Sequence, residues 1–265
     1  MAKNPNGVSK SVKASIGNNT VMRNAGVVRG TRASKIVVGD PPEKLGEIFY
    51  NLDLDAGQTA LRDAIWDKNN LITFVNAGAG CGKTLIAVAT ACLLIEYGLF
   101  DEIIYITSAC HEHRQGFLRG SLSEKSEQYF YPLHDALMTI GINPQFAIHS
   151  DDVNIEKTGK PFITVSTDTF IRGRNFGNGG RAIVICDELQ NSTLDQIATM
   201  LSRICKGSIA ICIGHSNQCD LINKNKSGFA RCIDHFRDRP WATVCELTKN
   251  YRGEISQWAD LLPRE

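Results

Sequence analysis

One stretch constrains this chain more than any other: Ala77-Gly78-Ala79-Gly80-Cys81-Gly82-Lys83-Thr84. It has the spacing of a phosphate-binding P-loop, with Ala at the first glycine position. It also sits where that motif has a mechanism, after an apolar run at 71–75 and before an Ala/Leu/Ile-rich run at 84–97. Glycines let the backbone curl so that successive N–H groups point inward at phosphate oxygens. Lys83 is placed to neutralise the β- and γ-phosphates, and the Thr84 hydroxyl to bind Mg²⁺. The start of the following helix adds partial positive charge. Gly78, Ala79, Gly80, Cys81, Gly82, Lys83 and Thr84 are therefore the expected nucleotide contacts. Ala77 fits the first position wherever φ stays negative.

The rest of the chain alternates in the same way. Short apolar runs at 71–75, 103–107, 162–166, 182–186, 208–213 and 242–247 read as strands, most of them buried on both sides. Helical patterns fall at 56–66, 84–97, 126–140, 193–204 and 254–262. Gly98 stands at a helix C-cap position, and Pro132 kinks or restarts its helix. The polar segment 149–160 reads as a surface hairpin or loop. Such alternation predicts an α/β fold with a mostly parallel central sheet between two helical layers, and with its ligand-binding loops along one edge.

Along that edge the sequence places further chemistry. Asp187 and Glu188 directly follow the strand at 182–186. Asp187 suits the metal side, and Glu188 suits the orientation of an attacking water. Gln218 follows the strand at 208–213, where it can sense a γ-phosphate or the lytic water. Gln58, on the helix that precedes the loop, is placed to read an adenine edge. Arg172, Arg174 and Arg252 are candidates for stabilising transition-state charge, in cis or from a neighbouring subunit.

Taken in order, Gln58, the P-loop, Gln115-Gly116-Phe117-Leu118-Arg119-Gly120, Tyr131-Pro132-Leu133-His134-Asp135-Ala136-Leu137, Arg172-Gly173-Arg174, Asp187-Glu188-Leu189-Gln190-Asn191 and Gly214-x-x-x-Gln218-x-Asp220-Leu221 resemble the PhoH-like ATPases. These are relatives of the superfamily 1 helicase core, and the resemblance runs over roughly residues 50–262. It implies a three-layer RecA-like P-loop NTPase fold, Mg-dependent ATP hydrolysis, a ring-shaped, hexameric assembly and handling of RNA or single-stranded DNA. It also implies an adenine contact for Gln58 and the sensor role for Gln218. The chain departs from the family pattern in three places. Ser108-Ala109 stands where Arg-Pro is usual, Arg119 where Pro is usual, and Gly214-His215 where Gly-Asp is usual. The His215 exchange removes a carboxylate on the γ-phosphate side. It keeps open a second reading, an ATP-binding switch or scaffold with slow or no hydrolysis. Such drift suits a phage-borne copy.

Composition sets the remaining bounds. The chain has 265 residues, 43% hydrophobic and 22% charged, enough for one sizeable core. Seven of its 29 Lys and Arg fall in residues 1–39, which hold no acidic residue, leaving 22 basic against 28 acidic residues elsewhere. A basic, polar extension over 1–49 thus precedes the ATPase domain at 50–265, and its charge suits a phosphate backbone. No apolar run is long enough for a membrane helix, and the start lacks a signal-peptide pattern, so a cytoplasmic location is expected. The nine cysteines read as buried, reduced thiols. Cys110-His111-Glu112-His113, and Cys212 with His215 and Cys219, are loose metal alternatives without paired CxxC spacing.

Overall fold

The computed structural model describes residues 40–46, 49–108, 128–149, 160–171, 173–216, 218–219, 221 and 227–262. Six strands form one sheet: β1 (Ile72–Ala77), β2 (Glu102–Thr107), β3 (Ile163–Thr167), β4 (Ala182–Asp187), β5 (Ile209–Gly214) and β6 (Ala242–Leu247). Their order is β3-β2-β4-β5-β1-β6, and every neighbouring pair is parallel. The continuous apolar runs are explained by this arrangement, since β4 and β5 are buried along their whole length.

Period-two alternation splits the strand side chains between two cores. On one face Val75, Ile103, Tyr105, Ile185 and Ile211 pack under α1 (Ala56–Trp66), α2 (Lys83–Glu96) and α3 (Tyr131–Thr139). Beyond α3 lies a single helical turn, α4 (Pro144–Ala147). On the other face Phe74, Ile104, Val184 and Cys212 pack under α5 (Leu194–Leu201) and α6 (Phe229–Phe236). A seven-residue helix, α7 (Glu254–Asp260), follows β6. The result is a three-layer α/β P-loop NTPase fold. Leu133 and Leu137 anchor α3 without measurable exposure, and truncation of either to Ala should cost about 2–5 kcal/mol.

Two helices, α4 and α6, fall where the sequence reading expects none; the other elements differ from expectation mainly at their ends. Pro132 lies in the first turn of α3, after a 3-10 turn at Gln128–Phe130. It therefore starts the helix rather than kinking it, because a first-turn N–H has no intrahelical partner to lose. β1 runs on to Ala77 because β6 pairs with it as far as Leu247. α5 stops at Leu201, where the bonds from Arg203 to Met200 and from Ile204 to Leu201 tighten the chain out of α geometry. Within the polar segment 149–160, residues 150–159 lie outside the described residues, as do 1–39.

The segment before α1 packs on that helix. Leu45 and Phe49 are buried in the core beside α1. Arg62 donates to the Gly46 carbonyl at 2.9 Å and lies over the Phe49 ring, and Trp66 Nε1 donates to the Pro42 carbonyl at 3.0 Å. Of the eight described cysteines six are buried, and none is in a disulfide among the described residues. Burial pushes the Cys232 and Cys245 thiols up to about 11, which keeps them protonated. Among the described residues, no helix is long and apolar enough to cross a membrane. No group of three His, Cys, Asp or Glu is arranged there to hold a metal ion, Cys212, His215 and Cys219 included. Cys110 to His113 lie outside the described residues.

Candidate nucleotide site

The P-loop leaves β1 and enters α2 at the carboxyl end of the sheet. Ala77 is still part of β1, paired with Leu247, and has no positive φ, which is why Ala serves at the first position. Gly80 and Gly82 do need glycine, with φ of +74° and +78°. A Cβ on Gly80 would lie 2.7 Å from Asn250 Oδ1 and 2.9 Å from Arg252 Cγ, and one on Gly82 would lie 2.8 Å from Gln58 Nε2. The loop is thus backed closely by α1 and by the segment after β6. Gly82 caps α2 without a side-chain hydrogen bond. The first-turn N–H groups of a 14-residue helix are then left without side-chain caps, in the arrangement that favours an anion. Lys83 Nζ reaches the Gly78 carbonyl at 3.4 Å, so its charge lies over the loop.

The acidic pair comes from β4. β5 separates β4 from β1, a gap of two strand spacings or about 10 Å, and the first turn of α2 closes it. Thr84 Oγ1 donates to Asp187 Oδ2 at 2.8 Å. The Tyr105 hydroxyl, from β2, donates to the same oxygen at 2.7 Å, and the Glu188 N–H donates to Asp187 Oδ1 at 2.9 Å. Asp187 is only 1% exposed, so these donors stabilise a buried carboxylate. Burial first, and the Asp187 carboxylate second, push the Tyr105 phenol well above its ordinary value.

Glu188 sits with φ 58° and ψ 34°, a left-handed conformation that a residue with a Cβ rarely takes. Gln190 holds it there: Gln190 Nε2 donates to Glu188 Oε2 at 2.5 Å. The other end of the same amide receives the His215 N–H at 3.1 Å, so one side chain links the acidic pair to the end of β5. The loop after β5 is tied back to β1, since Ser216 donates through both N–H and Oγ to Asn76 Oδ1 at 3.0 Å. Gln218 follows in this loop, its N–H on the His215 carbonyl at 3.0 Å. His215 Nδ1 is buried without a hydrogen-bond partner among the described residues.

Gln58 is held against the loop. Its Nε2 donates to the Cys81 carbonyl at 3.1 Å, and its Oε1 accepts from Asp55 N at 3.3 Å. Asp55 and Gln58 form the capping box of α1, a D-x-x-Q signal that sequence reading passed over. Tyr251, next to Arg252 in sequence and carrying no motif signal, joins these parts. Its N–H donates to the Gly80 carbonyl at 2.9 Å and its hydroxyl to Asp55 Oδ2 at 2.8 Å. Lys249 lies over its ring at 4.6 Å. Arg252, exposed, lies with its stem against Gly80.

The structure thus brings together Gln58, the loop from Gly78 to Thr84, Asp187, Glu188 and Arg252, and places Gln218 in the loop beyond His215. It does not bring Arg174 to them. Arg174 is exposed, and its carbonyl accepts from Arg203, beyond the C-terminal end of α5. Arg172 lies outside the described residues, as do Gln115 to Gly120. Tyr105 carries no motif signal, because a strand tyrosine with a buried hydroxyl reads as an ordinary core residue.

The family described as PhoH-like protein matches residues 53–260. The PhoH-like protein of Mycobacterium tuberculosis is 32% identical over 180 residues, covering 68% of this chain and 48% of that protein. The protein PhoH of Escherichia coli K12 is 31% identical over 185 residues, covering 69% of this chain and 49% of that protein. The chain spans about half the length of the curated relatives it matches. Among solved structures, the UvsW helicase of bacteriophage T4 aligns at a TM-score of 0.47 and 12% identity, over 74% of this chain and 60% of that one.

Proposed function

This chain belongs to the PhoH-like family, and on that premise we propose that it is a Mg²⁺-dependent ATPase, built as a hexameric ring and acting as a motor on RNA or single-stranded DNA. The observation that carries the hydrolytic reading is the convergence on Asp187 and Glu188. One carboxylate is bonded to the P-loop threonine, and the next is held in a strained conformation by Gln190.

The residues present fit magnesium. The Thr84 hydroxyl donates its single proton to Asp187 and so keeps its lone pairs for a cation. One protein hydroxyl, one nearby carboxylate and phosphate oxygens form the hard, oxygen-only set that this ion takes, without a protein cage. When bound, it neutralises charge on the β- and γ-oxygens. The chain's own groups do the rest. Backbone N–H groups from Gly78 to Thr84 and the Lys83 ammonium hold the phosphates. Glu188 accepts a proton from, or orients, the attacking water, while Gln190 fixes the carboxylate that does so. The base lies near Gln58 and Tyr251, on the α1 side of the loop. Because the Gln58 amide already bonds the Cys81 carbonyl and the α1 cap, base recognition exchanges one of those bonds.

Two observations support a shared assembly. Arg174 lies away from its own P-loop, so a catalytic role for Arg174 requires a neighbouring subunit. Ile255, Trp258, Leu261 and Leu262 at α7 are 64–89% exposed, directly after the segment that packs on the loop. Light scattering with and without ATP tests the ring; full turnover by a strict monomer sinks it. For the polymer, the basic arm at 1–39 supports a phosphate-backbone contact whose affinity falls steeply with salt. Phosphate release without nucleic acid, with single-stranded RNA and with single-stranded DNA tests the motor. Equal rates in all three contradict it.

A second reading, an ATP-dependent switch or scaffold, is favoured by one feature. The group at the end of β5 is an imidazole whose buried Nδ1 has no hydrogen-bond partner among the described residues. Nucleotide binding without turnover in both the natural protein and a His215→Asp variant supports that reading.

A further inference from the structure

The hydroxyl that Tyr105 places on Asp187 belongs to no motif, and it reaches the carboxylate from two residues back on the adjacent strand. Tyr105 pairs with Ile185, and Asp187 pairs with Thr107. Side chains two residues apart share a face, with about 6.6 Å between their Cα atoms along the strand. A tyrosine ring lying along the sheet spans that gap. An aliphatic residue or Phe fills the space under α2 without delivering a donor. The ring is held in place by burial and by an edge-on contact with Phe130, 6.4 Å between centroids.

The geometry points to Tyr105 as a positioning residue for the nucleotide's magnesium, acting through Asp187. This rests on the Mg-nucleotide reading of the site. Asp187 Oδ2 receives two hydroxyls, from Thr84 and from Tyr105, while Oδ1 receives the Glu188 N–H. The Thr84 proton is thereby directed at Asp187, which leaves the lone pairs of the Thr84 oxygen for the cation. Tyr105 fixes the rotation of the carboxylate that does the directing. With Tyr105→Phe, Oδ2 keeps one donor, the carboxylate is free to turn toward Thr84 or Glu188, and the threonine oxygen loses its fixed orientation. Removing such outer partners of a metal site lowers metal affinity by about 10- to 100-fold.

The test uses the full chain, a fluorescent N-methylanthraniloyl ADP and a MgCl₂ titration, so no turnover is needed. For Tyr105→Phe, the Mg²⁺ midpoint for tight nucleotide binding should rise at least about tenfold, with metal-free affinity unchanged. Tyr105→Leu, which lacks the hydroxyl but packs differently, should shift the midpoint in the same direction, and it keeps the test usable if the Phe variant folds poorly. In an Asp187→Asn background the Tyr105→Phe shift should disappear, whereas a merely structural role for the ring would persist there. An unchanged midpoint in both Tyr105 variants, beside a Mg²⁺-responsive natural protein, overturns the inference alone. A natural protein whose nucleotide binding ignores Mg²⁺ overturns the metal reading and this inference with it.

Discussion

The Thr84 hydroxyl donates to Asp187 Oδ2 at 2.8 Å, joining the first turn of α2 to the end of β4 across 103 residues of chain. Neither residue is near the other in sequence, and β5 stands between β4 and β1, the strand that leads into the P-loop. The bond exists because three parallel strands end at one edge and the P-loop turns α2 back across them. Thr84→Ala removes both the hydroxyl and a donor to Asp187, and turnover should fall by about 100-fold. Thr84→Ser keeps both and should stay within a few-fold. Phosphate release at saturating Mg²⁺ and ATP checks the pair.

Gln190 should matter for rate rather than for binding. Its amide restrains the Glu188 carboxylate and the end of β5 together. Gln190→Ala should lower kcat by about 10- to 100-fold, less than the full contribution of a general base, with nucleotide Kd unchanged. A matched fall in affinity and rate would show that Gln190 supports the loop instead.

Arg252 and Arg174 should behave differently when subunits are mixed. The Arg252 stem rests on Gly80 of its own chain, so Arg252→Ala mixed with Lys83→Ala should recover no activity. Arg174 is remote from its own loop, so Arg174→Ala mixed with Lys83→Ala should recover a measurable fraction. Recovery in the first mixture but not in the second would reverse the assignment.

Much of this was legible in the sequence, and what was not has a physical reason. The apolar runs marked the four inner strands because a parallel sheet buries both their faces, and β-branched residues marked the half-buried edge strands β3 and β6. The glycine spacing marked the loop because its φ values require glycine. Strand ends slipped by one or two residues, since pairing decides them: Ala77 is a strand residue only because Leu247 lies beside it. Glu188 was chosen for its charge, but its strained φ was invisible. Tyr105, Asn76 and Gln190 act through partners 25 to 140 residues away, and no local pattern records such bonds. Arg174 was grouped with the site on linear order alone, and the chain carries it toward Arg203 instead.

The far end of α2 carries a pH-dependent cost. Burial pushes the Glu96 carboxyl from 4.5 up to about 7, partly offset by the Tyr50 hydroxyl, and a negative charge is disfavoured at a helix C-terminus. The folded state therefore binds this proton more tightly than the unfolded state does. The associated stability is full below about pH 4.5 and is lost as pH rises through about 7. Glu96→Gln should raise the melting temperature at pH 8, by an amount worth at most about 3 kcal/mol, and change little at pH 4.5. Equal shifts at both pH values would place the effect in packing rather than in ionisation.

The central claim is that Lys83 and Thr84 hold a nucleotide whose hydrolysis depends on Glu188. Phosphate release from Mg-ATP by the natural protein and by Glu188→Gln, with ATP affinity measured on the same samples, tests it most directly. Turnover by the natural protein and a loss of about 10²- to 10⁴-fold in the variant, at unchanged ATP affinity, is the expected result. Equal rates in the two proteins, or none in either while both bind ATP, would contradict it.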